Sequence, residues 1–194
     1  MDKDPASNEH ALVVQAHRGD AYAYEELVRL HQDVAFRVAF LVLGKAEDAE
    51  DVIQEAFVKA FRALDKFDTS RSFRPWLLRI VTNEARNARK AAQRRAGLLV
   101  RCGEAWGHAQ EVSPEGRALD SERRKELLAA LDLLKEEERL VISLRFFLGL
   151  SEQEMSGVLG CRRGTVKSRL SRSMNTLRKV IRQRFPQLEA VHEL

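Results

Sequence analysis

At 194 residues the chain has room for one large domain or two small helical ones, and its 33 Lys and Arg against 29 Asp and Glu leave a formal charge of only +4. The two cysteines, Cys102 and Cys161, lack metal-type spacing and the five histidines are scattered, which excludes a zinc centre. No apolar run is long enough to span a bilayer and MDKDPASNEH lacks the apolar core of a secretory signal, so the expectation is a soluble cytoplasmic protein with free thiols.

Placement of charge says more than its sum. Acid gathers at Glu47–Glu55 and Glu136–Glu138, base at Arg71–Arg95 and Arg162–Arg184, which points to one basic partner and one polyanion. In chain order, Ala11–His17 reads as a short helix stopped at Gly19-Asp20, and Tyr22–Leu43 as a longer one with Tyr24, Leu27, Val28, His31, Val34, Val38 and Leu41 on one side, ending at Gly44. A third helix runs from Ala46 to about Leu64, with Ile53, Phe57, Phe61 and Ala56, Ala60, Leu64 as its buried face. Early acids complement a helix dipole, which accounts for Glu47, Asp48 and Glu50. Asp51 and Glu55, one turn apart, repel each other mildly, and a basic protein partner would explain them.

The polar turn KFDTSRS leads into a helix from Ser72, with Pro75 tolerated in its first turn. Trp76, Leu77, Ile80, Val81 and Ala88 supply the buried face; Arg79, Asn83, Arg86, Asn87 and Lys90 follow at three- and four-residue steps on the other. Between Arg71 and Arg95 stand eight basic residues and one acid, Glu84. Arg with Asn is the pairing that contacts phosphates and base edges, and Phe67 or Trp76 could stack an unpaired base, although core packing is the preferred reading of Trp76.

Helical period fails over Gly97–Asp120, which holds four of the ten glycines and a Ser-Pro pair; it reads as a flexible linker, with Leu98-Leu99-Val100 and Trp106 as adhesive points for a partner. Helicity resumes from Ser121 through Leu127, Leu128, Leu131 and Leu134, then Leu140, Val141, Leu144 and Phe147. Ser151–Arg172 has the layout of a helix-turn-helix. Ser151 and Glu154 form a capping box, Gly160 suits the left-handed turn, and Val166, Leu170, Met174, Leu177 and Ile181 give the second helix an apolar stripe. Arg162, Arg163, Lys167, Ser168, Arg169, Ser171 and Arg172 lie between, and no acid occurs from Met155 to Leu188, a face suited to a phosphate-lined groove. The fold class is therefore all-α: two small helical domains (residues 9–96 and 121–186) joined by a linker (97–120), the second containing the helix-turn-helix.

Taken together, GDAYAYEELVRLH, DAEDVIQEAFVKAFRALDKFD, SFRPWLLRIVTNEARN and LSEQEMSGVLGCRRGTVKSRLSR resemble, in order and spacing, the extracytoplasmic-function group of bacterial RNA polymerase sigma factors, over roughly Glu9 to Phe185. The resemblance implies that Asp51, Gln54 and Glu55 dock the clamp helices of the largest polymerase subunit. It implies that Phe67, Arg79, Asn83, Arg86, Asn87 and Lys90 serve the minus-ten element, Phe67 and Asn83 matching the pocket for a flipped base. Arg145, Arg162, Arg163, Thr165, Lys167, Ser168, Ser171 and Arg172 would serve the minus-thirty-five element, the linker would thread the polymerase cleft, and an anti-sigma protein is an expected partner. Arg162-Arg163 stands where a proline commonly opens the reading helix, Pro75 replaces a common threonine, Met155-Ser156 the usual Ile-Ala, and Ser171 is smaller than usual, so promoter preference does not carry over.

A stand-alone helix-turn-helix regulator would explain Ser151–Arg172 but leave the acidic helix and the Arg71–Arg95 stripe without a role. No enzyme is expected: no carboxylate cage, catalytic histidine cluster or phosphate-cradling glycine loop is visible, and neither cofactor, metal nor small-molecule substrate is called for.

Overall fold

The computed structural model describes residues 5–99 and 118–188. Every regular element among them is helical, in two separate units.

In the first, α1 (Pro5–His17) ends in a turn through Gly19, whose φ of 96° favours glycine. Asp20 then caps α2 (Ala21–Leu43), its carboxylate accepting from the amides of Tyr22 at 2.9 Å and Ala23 at 3.2 Å. Gly44, at φ 75°, closes α2 by donating to the Phe40 carbonyl at 2.8 Å. Next come α3 (Ala46–Ala63), a 3-10 turn at Leu64–Lys66, and α4 (Phe73–Leu99). Helices α2, α3 and α4 pack mutually around Leu27, Val38, Val42, Val52, Leu77, Leu78 and Val81.

The seam of α3 is built from Ala49, Val52, Ala56, Phe57 and Ala60, its three alanines letting neighbouring helices approach closely. Phe61, expected in this core, instead stays 48 % exposed and lays its ring against Tyr24 at 4.9 Å. Once the alanine line faces the bundle, Phe61 falls at its edge. Tyr24 also donates its hydroxyl to the Phe57 carbonyl at 2.6 Å, and burial pushes its phenol well up.

The remaining helices are α5 (Ala118–Asp132), α6 (Glu136–Phe146), α7 (Glu152–Leu159) and α8 (Arg163–Arg184), with a final 3-10 turn at Pro186–Leu188; α5, α6 and α8 belong to the second unit. Ala130, Leu131, Leu134, Ile142 and Leu177 form one core cluster, with Met174, Ile181 and Phe185 against it. Leu128 of α5 is exposed. Thr176 of α8 donates to Glu138 of α6 at 2.9 Å, and Gln187 donates to Glu126 of α5 at 2.6 Å, fixing α8 across the module.

Both helices bordering the expected linker run further than glycine content suggested. α4 extends through Gly97-Leu98-Leu99 and α5 starts at Ala118, so both ends of the 97–120 segment are helical. Val100, Cys102 and Trp106 lie outside the described residues.

Candidate nucleic-acid interface

Helix α3 turns its first polar stripe outward. Glu47, Asp48, Glu50, Asp51, Gln54 and Glu55 are all exposed, and no ion pair reaches Asp51 among the described residues. Glu55, expected to lack a partner as well, lies 3.5 Å from Lys59, one turn further on. That lysine is shared: its stronger bond, at 2.6 Å, goes to Glu84 of α4, which with help from Glu55 raises its pKa. Glu84, the one acid of the Arg71–Arg95 stretch, is thus turned toward α3 and off the basic stripe.

That stripe is intact on α4. Arg79, Asn83, Asn87 and Lys90 are exposed and Arg86 half-buried, at the three- and four-residue steps that hold side chains on one helical face. Leading into it, Asp68 accepts from both the amide (3.0 Å) and the hydroxyl (2.6 Å) of Ser70, closing a local turn. These two bonds hold the Asp68 carboxyl below its ordinary range.

Phe67 behaves differently from expectation. It is 5 % exposed, its ring meeting Phe73 edge-on at 5.9 Å and Trp76 at 4.7 Å. Phe67 follows the 3-10 turn and points inward because Phe73 and Trp76, three residues apart on α4, form an apolar seat for it. Beneath them lies a residue not singled out by motif: His31 of α2, 4 % exposed, with its ring 5.4 Å from Phe73 and Nε2 3.5 Å from Oε1 of Glu9 on α1. The imidazole, followed by Arg74, draws the Glu9 carboxyl below the usual carboxylate range against the opposing effect of burial. Glu9 and His31 are 22 residues apart, and no local pattern pairs them.

In the second unit the expected capping box is present: the amide and hydroxyl of Ser151 both donate to Glu154 at 2.8 Å, and the Glu154 amide returns a 3.2 Å bond to Ser151 Oγ. Gly160 takes a φ of 62° between α7 and α8. Val166 is buried, which turns Arg162, Arg163, Lys167, Ser168, Ser171 and Arg172 outward, with Thr165 half-buried. Ser168 donates to the Thr165 carbonyl at 3.0 Å and Arg172 Nε to the Ser168 carbonyl at 3.2 Å. The backbone thus holds that guanidinium along the exposed face through its Nε.

Arg145 donates to the Leu150 carbonyl at 3.0 Å and lines a shallow depression with Ser151, Glu152, Gln153, Arg163 and Lys167. Of the expected contacts, Arg79, Asn83, Asn87 and Lys90 on α4, Arg145 on α6, and Arg162, Arg163, Lys167, Ser168, Ser171 and Arg172 at the start of α8 are therefore accessible, whereas Phe67 is buried. Among the described residues no group of three or more His, Cys, Asp or Glu is placed to hold a metal ion, and no helix is long and apolar enough to cross a membrane.

Residues 27–95 match the Sigma-70 region 2 family model and residues 124–177 the model of Sigma-70, region 4. The chain is 36% identical over 177 residues to the ECF RNA polymerase sigma-E factor of Escherichia coli K12, covering 87% of this chain and 92% of that protein. It is 34% identical over 177 residues to the RNA polymerase sigma-H factor of Pseudomonas aeruginosa, covering 88% and 92%. Among solved structures, CnrH in complex with the cytosolic domain of CnrY aligns with a TM-score of 0.67 and 28% identity, over 91% of this chain and 99% of that one. The sigma factor RpoE, solved with the anti-sigma factor NepR from Bartonella quintana, shares the fold at a TM-score of 0.62 and 24% identity, over 82% and 96%.

Proposed function

The chain belongs to the extracytoplasmic-function group of sigma-70-family RNA polymerase sigma factors, and from that premise we propose how its faces divide the work of promoter selection. It binds core RNA polymerase and directs transcription initiation at promoters carrying minus-ten and minus-thirty-five elements. The observation that carries the division is the segregation of charge: an outward acidic stripe on α3, a basic stripe on α4 freed of its single acid, and a basic face on α8.

Asp51, Gln54 and Glu55 dock the basic clamp helices of the largest polymerase subunit, Asp51 contributing a charge that no ion pair among the described residues neutralises. Arg79, Asn83, Arg86, Asn87 and Lys90 take the minus-ten strand, cations holding phosphates and the two asparagines reading base edges. Extruding a base costs a few kcal/mol, which Asn83 hydrogen bonds offset in part. Phe67 enters this reading as the buried support of the loop Asp68–Ser72 rather than as a stacking surface. The α8 face, with Arg145 from α6, takes the upstream duplex.

Each module alone binds weakly; their connection makes the second contact intramolecular, so element spacing is read along with sequence. Residues 9–96 and 121–186 are the region 2-like and region 4-like modules, with the linker threading the polymerase cleft. The chain performs no catalysis of its own, acts in the cytoplasm, and is held inactive by an anti-sigma protein.

Gel filtration with bacterial core RNA polymerase tests the reading. Wild type co-elutes with the core enzyme and the Asp51→Arg, Glu55→Arg double variant does not. Co-elution unaffected by the double variant would remove the docking role from α3, and wild-type failure to bind core would remove the function.

A further inference from the structure

We propose that Glu152 is the positioning residue that turns Arg163 into a guanine reader within the upstream-element face. The inference rests on the assignment of α8 to duplex DNA. Two acids open α7, and they have separate duties. Glu154 is committed to Ser151 through three hydrogen bonds. Glu152, half-buried, accepts from Arg163 Nε at 3.2 Å. It is the one carboxylate in a depression otherwise lined by Arg145, Ser151, Gln153, Arg163 and Lys167.

An acid is costly in a face built for phosphate, since it repels the backbone that its neighbours attract. An exposed pair of this type adds little stability either. Its consequence lies in orientation. Arg163 is the first residue of α8, and no acid in that first turn offsets a cation at the positive end of the helix dipole. Glu152 supplies the missing negative charge from the neighbouring helix.

It also occupies one chosen donor. A guanidinium presents five N–H groups in a planar fork; with Nε engaged, the two terminal nitrogens remain as a parallel pair. That pair matches O6 and N7 of guanine, the commonest specific contact in the major groove, and residues at the start of a recognition helix are those that reach base edges. Left untethered, Arg163 would settle on any phosphate. Glu152 thereby exchanges part of the non-specific affinity for discrimination at one base pair.

The test uses holoenzyme assembled from the full chain and bacterial core polymerase, and a promoter pool randomised through the upstream element. Wild type enriches guanine at one upstream position; Glu152→Gln and Arg163→Ala both lose that preference, by roughly 5- to 150-fold in selectivity, with the remaining positions unchanged. Glu152→Gln also binds random duplex more tightly, with a steeper salt dependence, an effect that mere loosening of α7 does not produce. Loss in Arg163→Ala with full preference in Glu152→Gln would overturn the inference while leaving the duplex-reading face in place. Loss in Glu152→Gln alone would show the carboxylate itself reading a base, a cytosine amino group, and overturn the positioning role. Absence of any upstream preference in wild type would sink the assignment of α8 to DNA, and the inference with it.

Discussion

Replacing Phe67 by alanine distinguishes a core residue from a base-stacking one. The ring is 5 % exposed and meets two other aromatic rings, Phe73 edge-on at 5.9 Å and Trp76 at 4.7 Å. Burying a phenylalanine contributes about 1.5–3 kcal/mol, and each aromatic pair about 0.5–1.5 kcal/mol beyond that. Truncation should therefore cost about 3–5 kcal/mol, the range found for Phe→Ala in packed cores. Phe67→Leu keeps most of the apolar volume, loses the ring geometry, and should cost about 1–2 kcal/mol. Urea unfolding followed by Trp76 fluorescence, in a Trp106→Phe background, reads the difference next to the substitution. With slopes of about 1–3 kcal/mol per molar, the alanine variant's midpoint should fall by on the order of 2 M. Strand binding should decline in both variants only as far as the folded fraction does. An alanine variant with an unchanged midpoint and abolished binding to a single-stranded minus-ten oligonucleotide would refute the reasoning and return the ring to the base.

Lys167→Ala and Arg172→Ala should each weaken upstream-duplex binding by about 1–3 kcal/mol if they contact bases; a phosphate-only contact would instead lower the salt slope by about one without changing sequence preference. Asn83→Ala should impair open-complex formation, followed by permanganate reactivity of the melted strand, more than initial promoter binding; equal loss at both steps argues against a base-edge role. Acid should loosen α1: because the Glu9 carboxyl sits below its ordinary value of 4.5, its contribution is fully present above that pH and is lost as pH falls through the lower folded value. Amide exchange along α1 between pH 6 and pH 3 should show that loss in wild type and a flatter profile in Glu9→Gln; identical profiles would leave the Glu9–His31 pair without a stabilising role.

Legibility in the residues followed the range of the interaction. Gly44, Gly160 and the Ser151–Glu154 box could be read from neighbours a few positions away because caps and left-handed turns are local. The stripe on α4 was also legible, since helical spacing alone collects Arg79, Asn83, Arg86, Asn87 and Lys90 on one side. Periodicity reports that α3 has an apolar face but not its centre. Phe61 was placed inside on hydrophobicity, whereas the alanine seam took the central positions. Phe67 shows a related limit: an aromatic in a polar loop looks like a surface group, and nothing local reveals that Phe73 and Trp76 pack against it. The Glu9–His31 and Lys59–Glu84 pairs join separate helices and left no local signal. Glu152 was visible all along as the start of α7; only its approach to Arg163 distinguished it from Glu154.

The continuity of α4 has a consequence for how a promoter code can change over time. Arg79 and Lys90 stand on one unbroken helix, so their separation is about 16 Å by helical rise. That equals roughly five nucleotides of stacked strand. If α4 reads the minus-ten strand as proposed, a substitution at Asn83 or Asn87 exchanges one letter while the frame stays put. Inserting a single residue between them would rotate everything beyond it by about 100°, carrying Lys90 off the common face and bringing core positions out. Preference within the element can therefore drift one base at a time, but the length of DNA addressed is inherited as a unit.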